Sequence, residues 1–335
     1  MTVVPLLHVN GLSVKMPSAR GPVSVVEGVD LKVDAGESLG LVGESGCGKT
    51  TTLLAVLRLL PVGSAISAGQ IIFEGEDLRL VDEPGLRAIR GGRIGVIWQD
   101  PLAALDPVMR VGEQIAEAVR AHTRLDRRHA QARAKELMRL VELPDVDRTY
   151  RAYPHELSGG QRQRIVIATA IAAEPVLLLA DEPTTALDVT VQDQVLTLLS
   201  RLRVELGLAL LLITHDLAII SQTCNRVGVM YAGRIVETGQ VAEVFAAPRH
   251  PYTAGLIAAA PSVDRPGERP AGIAGTPPAA VASQNCAFAP RCPRSDQMCA
   301  NACPTLGEET HAVACHHPLT TVGQGSARRK AARSG

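Results

Sequence analysis

The sequence predicts an α/β fold with a parallel central sheet flanked by helices. Three features carry this. Apolar runs of strand length alternate with helical segments after residue 158, a glycine-rich loop joins a strand to a helix near residue 43, and antiparallel-type strands precede that loop.

Taken in order, residues 6–35 alternate three short apolar runs (Leu6-Leu7-His8-Val9, Val23-Ser24-Val25-Val26 and Val29-Asp30-Leu31-Lys32-Val33) with turn residues, as in an antiparallel meander. The run Ser38-Leu39-Gly40-Leu41-Val42 reads as a buried strand and Thr51-Thr52-Leu53-Leu54-Ala55-Val56-Leu57 as the helix after the loop. Further strands are expected at 71–75 and 94–98. Across 111–143 apolar positions recur three and four apart between Arg and Glu, which predicts an inserted α-helical subdomain at about 100–170. A helix from Ser158 to about Glu174-Pro175, a strand at 176–180, a helix at 191–206 and a strand at 208–214 continue the alternation. Residues 227–231 and 234–238, split by Ala232-Gly233, predict a terminal hairpin. Residues 260–283 are rich in Pro, Ala and Gly and suit an extended linker. The domain division expected is 1–245 for the main α/β unit, 246–318 for a cysteine-rich C-terminal extension, and 319–335 for a disordered basic tail.

Composition narrows the function classes. Acidic and basic residues balance at 34 each, and aromatics are 2% of the chain, so there is no whole-chain pull on nucleic acid and few platforms for stacking bases, which disfavours nucleic acid without excluding it. No apolar stretch reaches the roughly 18 residues that cross a bilayer, and the start lacks a leader's charge pattern, which predicts a cytosolic chain. Five of the seven cysteines crowd into residues 286–315. In a reducing compartment that clustering reads as a metal site before disulfides.

Residues 43–50 (Gly43, Glu44, Ser45, Gly46, Cys47, Gly48, Lys49, Thr50), with Thr51 following, form a phosphate loop between strand and helix. Glycines let backbone N–H groups turn toward an anion, and the helix N-terminus adds positive charge there. Lys49 is expected on the β and γ phosphates and Thr50 on Mg²⁺. The run Leu177-Leu178-Leu179-Ala180-Asp181 ends a buried strand in a second Mg²⁺-binding group, and Glu182 beside it is the candidate general base for water attack. Leu157-Ser158-Gly159-Gly160-Gln161 opens a helix with a hydroxyl and unobstructed N–H groups. That makes a second anion cradle, which one chain holding one triphosphate does not need unless it serves a partner's nucleotide.

With these motifs in this order, residues 6–318 resemble the nucleotide-binding subunits of ATP-binding cassette (ABC) transporters, whose signature is Leu-Ser-Gly-Gly-Gln. The resemblance implies a P-loop NTPase core with a RecA-like parallel sheet. It also implies ATP and Mg²⁺ as ligands, with Thr50, Gln99 and Asp181 around the metal. Gln99 matches the Q-loop glutamine, Ser158 to Gln161 the signature that closes on the partner's ATP, Asp188 the D-loop, and His215 the switch histidine near the γ phosphate. One departure is that the family's adenine-stacking aromatic is missing from Met16-Pro17-Ser18-Ala19-Arg20, leaving Arg20 or a loosely held base.

Gln99 to Pro107, Val111-Gly112-Glu113-Gln114-Ile115, His250-Pro251-Tyr252-Thr253 and Asn285-Cys286-Ala287-Phe288-Ala289-Pro290-Arg291-Cys292-Pro293 look like the oligopeptide and dipeptide importer branch. That branch implies a cysteine set at Cys286, Cys292, Cys299 and Cys315, with Cys303 unfixed, suited to a [4Fe–4S] cluster; zinc is the competing reading, with His311, His316 or His317 as replacement ligands. It also implies two transmembrane permease subunits, a second ABC ATPase subunit and an extracytoplasmic solute-binding protein, on the cytoplasmic face of a bacterial membrane. Nickel and glutathione importers share these motifs, so peptide is the leading substrate and not the only one. A nucleic-acid ABC ATPase is disfavoured by the short helical insertion and single cassette, and a metalloregulator by the intact catalytic set. Cys47 and Cys224 read as structural or incidental residues, with Cys47, beside the phosphates, open to oxidation.

Overall fold

The computed structural model describes residues 4–19, 21–185, 187–260, 272–278, 281 and 284–320. Arg20, most of the 260–283 linker and the tail beyond 320 lie outside the described residues. Two long strands, β1 (Leu7–Met16) and β2 (Val23–Val33), pair antiparallel at the N-terminal end. The three apolar runs of the sequence thus become two strands: register shifts between Val9 and Leu12, Leu12 and Val14, and Val14 and Lys15 absorb the extra residues while Leu7, Val9, Leu12 and Val14 stay fully buried. The next strand, β3 (Ser38–Val42), is buried along its whole length and leads into helix α1 (Lys49–Val56). Strands β4 (Ala65–Phe73) and β5 (Glu76–Asp77) complete a four-stranded sheet in the order β2-β1-β4-β5.

After α2 (Glu83–Ile89), β6 (Ile94–Ile97) enters the main sheet. Five helices follow: α3 (Pro101–Ala104), α4 (Val111–His122), α5 (Arg127–Leu140), α6 (Val146–Arg151) and α7 (Gly159–Ala170). In α4 the inward residues Val111, Ile115, Ala116 and Val119 recur at helical spacing and are buried. Helix α7 stops earlier than its sequence suggests, because the chain closes in turns after Ala170 and Glu174 takes a left-handed φ of 55° before β7 (Leu177–Asp181). Then come α8 (Val189–Leu206), β8 (Ala209–Thr214), α9 (Leu217–Thr223), β9 (Arg226–Tyr231), β10 (Arg234–Gln240), α10 (Val241–Ala246), α11 (Pro251–Ala259), α12 (Gln297–Asn301) and β11 (Ala312–Val313).

The main sheet has the order β11-β10-β9-β3-β8-β7-β6, parallel from β9 to β6. One apolar core lies between this sheet and helices α4, α5, α7, α8 and α9; the other lies between it, α1 and the four-stranded sheet. With both faces covered, the parallel strands are continuous apolar runs, not alternating ones.

The hairpin of β9 and β10 is not terminal, since β11 adds to its edge through Thr238 opposite Ala312 and Glu237 opposite Val313. Glu237 is fully buried and accepts hydrogen bonds from the Arg249 N–H (2.6 Å) and His250 N–H (2.9 Å), with His311 Nε2 at 2.7 Å. A buried carboxylate is tolerated only with such partners. Tyr231, Tyr252 and Phe288 pack tilted and edge-to-face with ring centres 4.5–5.5 Å apart, joining three segments of the chain into one apolar joint.

Candidate nucleotide site

The C-terminal ends of the parallel strands carry the site, where an open α/β sheet leaves a crevice for ligands. At Gly43 an added Cβ would fall 2.1 Å from the Met230 carbonyl oxygen, so the β9 backbone requires glycine there. Gly46 and Gly48 have φ of 78° and 106°, which turns the loop into α1. The Lys49 side chain, 5% exposed, reaches back through the loop and donates from Nζ to the Gly43 (2.8 Å) and Glu44 (3.1 Å) carbonyl oxygens. From the first turn of α1, Thr50 Oγ1 donates to Asp181 Oδ1 at 3.1 Å, which joins the two expected Mg²⁺ groups across the end of β8, the strand between β3 and β7.

Glu182 sits one residue beyond β7 with a φ of 45°, a conformation that costs energy for a side chain with a Cβ and persists only where its surroundings hold it. They do: its N–H donates to the Ile213 carbonyl at 2.8 Å. Its carboxylate receives Thr185 Oγ1 at 2.8 Å and Gln99 Nε2 at 3.2 Å, and lies 3.2 Å from His215 Nδ1. Burial pushes this carboxyl's pKa up, but the hydrogen bonds from Thr185 and His215 and the charges of His215 and Lys49 outweigh it and hold the group below its ordinary range. Asp181 goes the other way, raised by burial and by the adjacent Glu182 despite its bond from Thr50. Two neighbouring carboxylates are thereby pushed apart in acidity, a pattern typical of reacting sites.

A cavity of about 680 Å³ is lined by Gly43, Glu44, Ser45, Gly46, Gly48, Lys49, Thr50, Thr51, Gln99, Glu182 and His215, together with Val25 and Leu256. Cys47 is buried beneath the loop, and burial pushes its thiol pKa up despite Lys49 nearby. It is a packed, buried thiol.

The run expected to make a second anion cradle lies elsewhere. Ser158 caps α7 in a reciprocal box with Gln161, the two bonds being 3.0 and 3.3 Å. Gly160 faces α8, where an added Cβ would meet Val191 Cγ1 at 2.6 Å; Gly159 is close to Leu187. Asp188 caps α8 through the Val191 N–H at 3.0 Å. None of Ser158, Gly159, Gly160, Gln161 or Asp188 lines the cavity over the phosphate loop.

In the extension, burial holds the Cys286 thiol up at about 11 and raises those of Cys292 and Cys315, with Cys299 near enough to add to all three. The Cys303 thiol donates to the Pro304 carbonyl at 3.7 Å. Among the described residues the tightest ligand group is Asp296, Cys299 and His317, with donor atoms within 4.8 Å of one another. His311 and His316 are engaged instead with Glu237 and the Ala302 carbonyl.

Three contacts at the site are invisible to motif reading. Thr185 supports Glu182, Tyr252 accepts the Glu44 N–H at 2.9 Å, and Arg291 forms a bidentate pair with the Glu44 carboxylate at 2.6 and 3.0 Å. Tyr252 and Arg291 both fall inside runs that mark the importer branch, but nothing in their spacing shows that they reach the loop.

Two family models match the chain, "ABC transporter" over residues 26–185 and "Oligopeptide/dipeptide transporter, C-terminal region" over residues 236–299. A probable peptide ABC transporter ATP-binding protein of Sinorhizobium fredii is 46% identical over 317 residues, covering 92% of this chain and 94% of that one. The oligopeptide transport ATP-binding protein OppD of Bacillus subtilis is 46% identical, covering 82% and 78%. The probable D,D-dipeptide transport ATP-binding protein DdpD of Escherichia coli is 43% identical, covering 95% and 98%. Among solved structures, the dimeric ATP-binding cassette MJ0796 bound to ADP and phosphate superposes with a TM-score of 0.63 at 26% identity, over 70% of this chain and 98% of that one. Site geometry, matched segments and near full-length relatives agree: the chain belongs to the ATP-hydrolysing subunits of ABC transporters, in the oligopeptide/dipeptide branch.

Proposed function

We propose that this ATPase subunit powers peptide import through a membrane ABC transporter, docked on the cytoplasmic face beneath two permease subunits. One observation carries the reading. Glu182 is held over the phosphate loop by Thr185, Gln99 and His215, while the signature at Ser158 to Gln161 lies outside that cavity. Such a site is complete only when a second ATPase subunit, a copy or a paralogue, supplies its signature.

In this scheme Lys49 and the loop N–H groups bind the β and γ phosphates, and Thr50, Asp181 and Gln99 would hold a Mg²⁺ ion, which when bound would supply charge neutralisation at the phosphates. Glu182, kept ionised, polarises the attacking water and accepts its proton; His215 and Gln99 orient Glu182 and meet the γ phosphate. Asp188 lies at the subunit seam. ATP bridges the closed dimer and ADP with phosphate does not, so nucleotide state biases a two-state element that moves the permease. Residues 1–245 form the nucleotide-binding domain, with α3–α7 as its helical subdomain, and 246–318 form the cysteine-rich extension.

An apolar groove of about 270 Å³ between the core and α3–α7, lined by Leu59, Trp98, Leu105, Ala118 and Val166, adjoins Gln99 and supports permease docking there. Among the described residues no helix is long and apolar enough to cross a membrane, in keeping with peripheral attachment. With the permease pair and an extracytoplasmic solute-binding protein reconstituted in liposomes, ATP on the cassette side should drive uptake of labelled di- or oligopeptides. Uptake of nickel or glutathione instead would overturn the peptide assignment.

Cys286, Cys292, Cys299 and Cys315 are the ligands of a [4Fe–4S] cluster that pins the extension, with zinc as the alternative. Protein prepared without oxygen should be brown and carry about four iron and four sulfide per chain. Cys303→Ser should leave that content unchanged, and Ser at any of the four should lower the melting temperature before it alters turnover. Stoichiometric zinc without iron would remove the cluster and leave a cysteine-held ion.

A further inference from the structure

Glu44, the second residue of the phosphate loop, is held at three points. Lys49 takes its carbonyl at 3.1 Å, the Tyr252 hydroxyl takes its N–H at 2.9 Å, and Arg291 grips both carboxylate oxygens at 2.6 and 3.0 Å. Two of the three come from beyond residue 245. The Arg291 side chain is only 4% exposed, and its guanidinium lies 5.8 Å from the Tyr231 ring centre while donating to the Ile273 and Ala274 carbonyls. It is therefore fixed by several partners at once.

A carboxylate within a loop built to receive a triphosphate is an electrostatic liability, because like charges a few ångströms apart in a partly dry cavity repel strongly. Pairing with Arg291 cancels that charge, and the fork geometry fixes where the first half of the loop stands. We propose that Arg291 is a positioning residue for the nucleotide site, neutralising and orienting Glu44 so that the C-terminal extension sets the phosphate loop's affinity for ATP. The inference rests on the nucleotide-site reading above. It assigns the extension a role at the catalytic domain in addition to carrying cysteines.

The test uses the full chain, titrated with a fluorescent ATP analogue and Mg²⁺, alongside steady-state ATPase kinetics of the same preparations. Arg291→Met keeps the apolar stem against Tyr231 and removes the charge; it should weaken nucleotide binding and raise KM by about tenfold, with kcat changed by less than about threefold. Arg291→Lys should recover part of the affinity. Adding Glu44→Gln to Arg291→Met should recover most of it, because the charge needing cancellation is gone. A role confined to stapling the extension would not give this rescue. Affinity of Arg291→Met within about twofold of wild type, or a double variant as weak as the single one, would overturn the proposal. Should Arg291→Met fail to fold, the Arg291→Lys affinity decides: unchanged binding with the charge retained supports neutralisation only if Arg291→Met/Glu44→Gln folds and binds, and it otherwise overturns it. Wild-type protein that binds no nucleotide would instead bring down the site reading itself, independently of Arg291.

Discussion

Glu182→Gln should leave ATP binding intact and lower turnover by about 10² to 10⁴, the range expected when a general base is lost. The amide still accepts from Thr185 Oγ1, 2.8 Å away in the native chain, so the left-handed turn at φ 45° and the cavity wall should survive. What disappears is the proton acceptor. ATP then stays unhydrolysed between two subunits, and the closed dimer should accumulate in size-exclusion chromatography with ATP but not with ADP. Because the native carboxyl is held below its ordinary pKa, wild-type Glu182 is ionised at neutral pH, and the defect should not be relieved by raising the pH. Turnover within a few-fold of wild type would remove Glu182 from the base role.

Ser158→Arg should abolish hydrolysis while the isolated chain binds nucleotide almost normally. Ser158 closes a capping box at the start of α7 and lies outside the cavity lined by Lys49, so the substitution reaches the facing subunit's ATP and not its own. Gly160→Asp should do the same, with an added stability loss, because its Cβ would press on Val191 at 2.6 Å. A thermal melt separates the two contributions. If the partner is a copy of this chain, mixing Ser158→Arg with Lys49→Ala protein should restore one working composite site. Loss of nucleotide binding in Ser158→Arg alone would contradict the two-subunit geometry.

Much of this site is legible in the chain itself because phosphate chemistry constrains local sequence. A loop that wraps an anion needs glycine at particular positions, a lysine and a hydroxyl at fixed spacing, and a helix start directly after; all of that fits in nine residues and is read without knowing the fold. The strand ending in Asp181 is legible for a similar reason, since a strand covered on both faces is a continuous apolar run. Bulged β1 and β2 were harder, because register shifts move residues between faces and break one strand's pattern into several.

Legible in the sequence alone were the nucleotide chemistry, the α/β class and the crowding of cysteines near the end. Only the tertiary structure decided that Thr185, Gln99 and His215 converge on Glu182, that β11 extends the main sheet, that Cys47 is buried, and that Tyr252 and Arg291 seize Glu44 from 208 and 247 residues away. The physical reason is range. Capping, phosphate cradling and apolar periodicity act between near neighbours and leave a local trace, whereas a salt bridge across the whole chain depends on where two surfaces meet after packing, and neither residue's sequence neighbourhood records that encounter.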